Sequence, residues 1–208
     1  MYLLTSPWWL RALYPAFTWR MPGDEKVIYL TFDDGPHPQA TPFVLEQLKK
    51  FHAKASFFCI GKNIVAEPGI YRQVLAEEHS VGNHTYHHYN GWKTEDAIYM
   101  EDIRKTMELV PSKLFRPPYG RIKRSQAKQL LSPRFSLRTI MWDVLSGDFD
   151  ISLQPEACLN NVLKHTRPGS IVLFHDSEKA FPRMRYALPR MLAHFSEKGY
   201  RFAAMDMG

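Results

Sequence analysis

From Val27 onward, strand-type and helix-type segments alternate without interruption. That order restricts the chain to a parallel sheet covered by helices. Strands are expected at 27–32, 54–59, near 79–84, and at 113–116, 135–142, 170–175 and 200–205. Helices are expected at 41–52, around 69–78, at 94–110, around 123–131, at 155–166 and around 184–198. The helix at 41–52 gathers Val44, Leu45, Leu48 and Phe51 on one face, and the one at 155–166 has proline in its first turn. Seven parallel strands are compatible with an incomplete barrel or with an open doubly wound sheet, and alternation alone does not choose between them.

The chain has 208 residues, 45% hydrophobic and 23% charged, the profile of one ordinary globular domain. Its net charge of +6 and its dispersed lysines and arginines fit an anionic glycan or a membrane surface. No nucleic-acid-binding motif accompanies that charge, so no nucleic-acid partner is expected. Cys59 and Cys158 lie in apolar and helical contexts and read as small core residues, without a disulfide framework or a cysteine metal cluster.

Residues 1–26 stand apart from the alternating region. The stretch "MYLLTSPWWLRALYPAFTWR" has no charged start, no sustained apolar core and no small-residue cleavage site. Pro7, Arg11 and Pro15 interrupt it too often for a spanning helix. The expected organisation is an aromatic N-terminal segment, 1–26, packed on a single α/β domain, 27–208. Trp8, Trp9, Leu13 and Phe17 with Arg11 and Arg20 also suit a membrane interface. The expected location is therefore cytoplasmic or peripheral to a membrane.

The ionisable residues cluster at the C-terminal ends of the expected strands, where α/β folds place ligand sites. Asp33 and Asp34 follow the first strand, and His84 and His88 the third. Arg116 and Tyr119 follow the fourth, 142–148 the fifth, and His175 the sixth. In "GNHTYHH", the spacing of His84 and His88 lets two imidazoles converge on one ion, while adjacent His87 points elsewhere. One of the paired aspartates supplies a third ligand, which leaves a position for water as in catalytic zinc sites. The other carboxylate is then a general base, and the cation relieves the repulsion within the pair. Arg116 is placed to hold the basic aspartate through a bidentate pair, and His175 is a candidate general acid.

In order, the motifs "TFDDGP", "HTYHH", "RPPYG", "WDVLSGDF" and "LFH" resemble those of the polysaccharide deacetylases of carbohydrate esterase family 4, the NodB-homology domain. The resemblance runs from Val27 to the C-terminus. It implies a distorted, incomplete (β/α) barrel of about seven parallel strands. It implies Asp33 as base, and Asp34, His84 and His88 as ligands of one divalent metal, zinc in the first place and nickel or cobalt as substitutes. It further implies that Arg116 orients Asp33, that the Tyr119 amide faces the oxyanion, and that Asp148 tunes the acid His175. Trp142 and Leu173 would line the pocket for the acetyl methyl. The family's fourth motif commonly ends in tryptophan, whereas Phe149 stands here, so a different wall of the sugar groove is expected.

The expected function is metal-dependent removal of N-acetyl groups from an amino sugar or polysaccharide, with release of acetate. Two alternatives share the metal site: an O-acetyl ester hydrolase and an inactive glycan-binding module. Retention of Asp33, Arg116, Asp148 and His175 weighs against the second, because binding alone needs no proton-transfer set. A phosphorelay receiver, suggested by the acidic pair, has no use for the clustered histidines.

Overall fold

The computed structural model describes residues 3–205. Strand β1 (Val27–Asp33) occupies the centre of the sheet, with Ile28, Leu30 and Phe32 fully buried. A parallel strand covered on both faces needs such a nearly continuous apolar run. To one side follow β2 (Ser56–Cys59), β3 (Ser80–Asn83), β4 (Leu114–Phe115) and β5 (Arg138–Thr139). To the other lie β7 (Ile171–His175) and then β6 (Val144–Leu145). The order is β5-β4-β3-β2-β1-β7-β6, and β8 (Arg201–Phe202) pairs with the start of β1 off this path. Every pairing between these strands is parallel.

That order decides between barrel and open sheet. In a doubly wound sheet, strands beyond the switch move outward in sequence order. Here β7 returns to adjoin β1 and β6 lies beyond it, as in a ring cut open between β5 and β6. The fold is the incomplete barrel.

Helices α2 (Ala40–Lys50), α4 (Pro68–Ala76), α5 (Asp96–Met107), α6 (Arg124–Leu130), α7 (Pro155–His165) and α8 (Phe181–Glu197) cover the strands. In the core, Val44, Leu45 and Leu48 of α2 and Leu188, Met191 and Leu192 of α8 meet Leu30, Phe32, Val172 and Phe174. Phe32 stacks between Phe57 and Phe174, with ring centroids 5.1 and 6.1 Å away. Cys59 and Cys158 are free and buried.

The expected fifth strand is cut to two residues. Phe135 and Leu137 turn into a second core cluster with Tyr99, Ile103 and Leu130, and beyond Thr139 the carbonyls of Ile140 and Met141 accept from Arg116. The short β6 and helix α3 (Gly61–Ala66) were not expected, since elements this brief show no readable period.

The N-terminal segment crosses the break in the ring. On the β5 side, Thr18 donates its amide to Thr139 and accepts from the Met141 amide. On the β6 side, Ser6 donates to the Asp143 carbonyl and Leu4 accepts from the Leu145 amide. Helix α1 (Trp8–Leu13) links these two contacts. Deleting residues 1–19 removes four backbone hydrogen bonds of ~1 kcal/mol each. The melting temperature should therefore fall by roughly 10 °C, which calorimetry on the truncated protein will measure. An unchanged melting temperature would show the strap to be dispensable.

Candidate active site

The residues singled out in the sequence line one cleft of about 790 Å³ at the C-terminal ends of the strands: Asp33, Asp34, His84, His88, Tyr119, Trp142, Leu173 and His175. Arg116 and Asp148 stand behind it, fully buried.

Asp34 Oδ1, His84 Nε2 and His88 Nε2 converge. Asp34 Oδ1 is 3.7 Å from the first imidazole nitrogen and 3.2 Å from the second, and one ligand atom from each residue fits within 4.8 Å of the others. His84 Nδ1 lies 2.8 Å from the Arg116 carbonyl. Donation of the Nδ1 proton there leaves the Nε2 lone pair facing the cleft. Burial pushes the His84 pKa down to about 4, outweighing the opposing pull of Asp33, so the ring is neutral and ready to ligate. Burial would raise the Asp34 pKa, but His88, His175 and His84 around it hold the carboxyl well below the usual range. Among the described residues, Asp34 Oδ1 is buried without a hydrogen-bond partner, with His88 Nε2 3.2 Å away. An ionised oxygen and two imidazole lone pairs turned toward a shared point fit a divalent cation.

The local backbone is strained where it delivers these groups. Asp34, Thr85 and His88 have φ of 83°, 63° and 63°, a left-handed conformation that costs non-glycine residues and clusters at functional sites. Several groups maintain it. Asp102 on α5 accepts from the amides of Tyr86 and His87 and holds His87 Nδ1 at 2.5 Å; His87 thus faces away from the metal position. Asn63 donates to the Asp34 carbonyl at 2.7 Å. Asp176 accepts from the Gly35 amide at 3.0 Å and from Thr41 Oγ1 at 2.5 Å. A Cβ on Gly35 would fall 2.0 Å from that carboxylate, so only glycine admits the clamp.

Asp33 and His175 are partners in the β1–β7 register. Arg116 Nη1 donates to Asp33 Oδ1 at 2.8 Å and to Thr31 Oγ1 at 2.8 Å, while Nε and Nη2 donate to Ile140 and Met141. The expected bidentate pair is therefore corrected to a single contact, because carbonyls occupy the rest of the guanidinium. Asp33 Oδ2 is left to the cleft, 3.8 Å from His84 Nε2. Phe58 lies under the guanidinium at 4.1 Å.

Asp148 follows β6 rather than the fifth strand. Its Oδ1 is 2.8 Å from His175 Nδ1, and Oδ2 accepts from the His175 amide at 2.7 Å. Burial works against protonation of His175, but Asp148, with help from Asp34 and Asp33, raises its pKa to about 9. Arg183 of α8 donates to the Asp148 carbonyl at 2.6 Å and braces this loop. Phe149 meets His175 edge-on, with centroids 5.3 Å apart.

Tyr119 has φ 60° and brings its hydroxyl within 3.2 Å of His88 Nδ1, a contact the sequence did not suggest. Trp142 and Leu173 line the cleft together with Leu145. Trp142 lies so close to Gly120 that a Cβ there would meet it at 2.7 Å.

The family model for polysaccharide deacetylases matches residues 20–132. The chain belongs to the polysaccharide deacetylase family. This polysaccharide deacetylase is 35% identical over 195 residues to a peptidoglycan-N-acetylglucosamine deacetylase of Bacillus cereus, covering 91% of each chain. It is 36% identical over 168 residues to a chitooligosaccharide deacetylase of Azorhizobium caulinodans, covering 76% of this chain and 77% of that one. It also superimposes on a crystal structure of a peptidoglycan N-acetylglucosamine deacetylase bound to a hydroxamate-type benzamide. The TM-score is 0.87 at 31% identity, covering 96% of this chain and 95% of the other.

Proposed function

We propose that this polysaccharide deacetylase removes N-acetyl groups from N-acetylglucosamine units of a cell-wall-type glycan, using one zinc ion held by Asp34, His84 and His88. The carrying observation is the placement of Asp33 and His175 side by side on β1 and β7, flanking the three converging ligand atoms. The relatives' activities on peptidoglycan and chitooligosaccharides support the substrate class.

When bound, the cation supplies Lewis acidity for the acyl oxygen and lowers the pKa of the attacking water. Asp33 accepts a proton from that water through Oδ2, since Arg116 occupies Oδ1. The buried guanidinium fixes the direction of the Asp33 carboxylate. Trp142, Leu145 and Leu173 offer an apolar wall to the acetyl methyl, and the Tyr119 amide is assigned to the developing oxyanion. His175, held at Nδ1 by Asp148, delivers its Nε2 proton to the departing nitrogen. Acetate and a free amine result. An ester leaves as an alkoxide with less need of an acid, so a histidine held protonated near neutral pH favours amide cleavage over the O-acetyl alternative.

Acetate release from N-acetylglucosamine oligomers and from peptidoglycan, with and without chelator, tests this reading. Release from at least one substrate, abolished by chelator and restored by zinc, is expected; release indifferent to chelator would overturn it. His84→Ala should lower bound zinc from about one equivalent to a small fraction in elemental analysis. Undiminished metal in that protein would remove His84 from the ligand set.

A further inference from the structure

We propose that α1 and the arginines gathered around Asp143 form a docking site for an anionic phospholipid surface. Helix α1 buries none of its six residues. Trp8 is 80% exposed, Trp9 52% and Leu13 50%, and Leu3 just before the helix is 55% exposed. The neighbouring aromatics behave differently: Trp19 is buried, and Phe17 packs against the Tyr99 cluster. The segment is thus anchored at both ends of the ring's break and pushes a small indole-rich knob outward between them. Tryptophan, with an apolar body and a polar N–H, is the side chain best suited to the boundary between lipid and water.

Charge at the base of the knob points the same way. Arg11 pairs with Asp143 Oδ1, Arg167 Nε lies 3.7 Å from Asp143 Oδ2, and Arg20 donates to the Pro168 carbonyl at 3.0 Å. Two guanidiniums therefore flank one buried carboxylate and a third is held on the neighbouring 167–170 turn, leaving a local excess of two positive charges. Residues 3–23 contain no aspartate or glutamate, and neither does the adjoining stretch 162–170. Basic groups flanking exposed tryptophans are the combination that holds a peripheral segment on anionic lipid. A second copy of the chain is a poorer occupant. A six-residue helix is only ~9 Å long, far short of the ~800 Å² face of a stable dimer, and two such arginine clusters would repel.

The placement sets an orientation. Asp143, which Arg11 grips, donates its amide to Ile171, the first residue of β7, whereas the cleft lies at His175, the last. A protein docked through α1 would hold its cleft toward the opposite end of the strands, away from the bilayer and toward glycan standing off the surface.

The test is flotation of the full chain with vesicles of phosphatidylcholine alone and of phosphatidylcholine mixed with phosphatidylglycerol. The wild type should float with the mixed vesicles, not with the neutral ones, and added salt should release it. Trp8→Ala/Trp9→Ala should weaken partitioning about tenfold with the melting temperature unchanged, since both side chains are exposed. Arg167→Gln, an independent probe of the charge, should weaken it about fivefold. Failure of the wild type to float with either vesicle overturns the proposal, as does undiminished flotation of both variants. Sedimentation showing a dimer that the tryptophan substitutions dissociate would assign the face to a second copy instead. Chelator-sensitive acetate release from soluble oligomers is independent of all these outcomes, so it fails or succeeds separately.

Discussion

Asp33→Asn is expected to keep about one equivalent of metal while its turnover falls by roughly 10²–10⁴, the usual loss on removing a general base. The geometry separates the two aspartates. Asp34 Oδ1 lies against the imidazoles of His84 and His88, whereas Asp33 spends one oxygen on Arg116 and presents the other to the cleft. An amide at position 33 can still accept from Arg116 through its carbonyl, so the fold around it survives, but it takes no proton from water. Asp34→Asn should behave oppositely. A neutral amide is a weak ligand, so metal affinity drops, and excess zinc should return part of the activity. Elemental analysis of both proteins beside rates at two zinc concentrations distinguishes the cases. Metal lost from Asp33→Asn and kept by Asp34→Asn would mean that the roles are exchanged.

The gathering of the aspartate doublet and the two histidines in one place was legible because each element involved is local, whereas the choice of Asp33 as base and Asp34 as ligand came from the family resemblance. A strand of 27–32 read from its β-branched and aromatic run must end near Asp33, and a histidine pair four residues apart advertises convergence on an ion. What escaped was the scaffolding that fixes these groups. Asp102 lies on the buried stripe of α5 with Tyr99, Ile103 and Thr106. Arg183 begins the buried stripe of α8, ahead of Met184, Ala187 and Leu188. A charged residue in phase with an apolar stripe must be compensated in the interior, and that was the available signal. The identity of the partner was not available, because Asp102 reaches backbone amides 15 and 16 residues away and Arg183 a carbonyl 35 residues away. Asp176 had a plainer sign, as the acidic neighbour of His175; burial pushes its pKa up to about 8, and Asp34 adds to the rise. The break between β5 and β6 could not be foreseen either, since two-residue strands leave no periodic trace and the strap that spans them precedes the alternating region.

His175→Ala should retain metal and lose amide hydrolysis by roughly 10²–10⁴, while an activated ester with a good leaving group is relatively spared. An amine cannot depart from a tetrahedral carbon without a proton; a phenolate can. The ratio of the two rates therefore reports the acid itself rather than damage to the site. The pH dependence gives a second, independent reading. Without metal, His175 should titrate near pH 9 in an NMR experiment, held up by Asp148. Because its folded pKa is raised above the ordinary 6.5, the stability it contributes is fully present below that value and lost as pH rises through about 9. A dication facing His175 repels its proton, so the metal-loaded protein should titrate lower. The alkaline limb of amide turnover should follow that lower value. Asp148→Asn removes the charge that sustains the proton, and both the titration and the alkaline limb should move to lower pH together. An alkaline limb that stays in place when Asp148 is neutralised would show that the proton reaching the amine comes from a group other than His175.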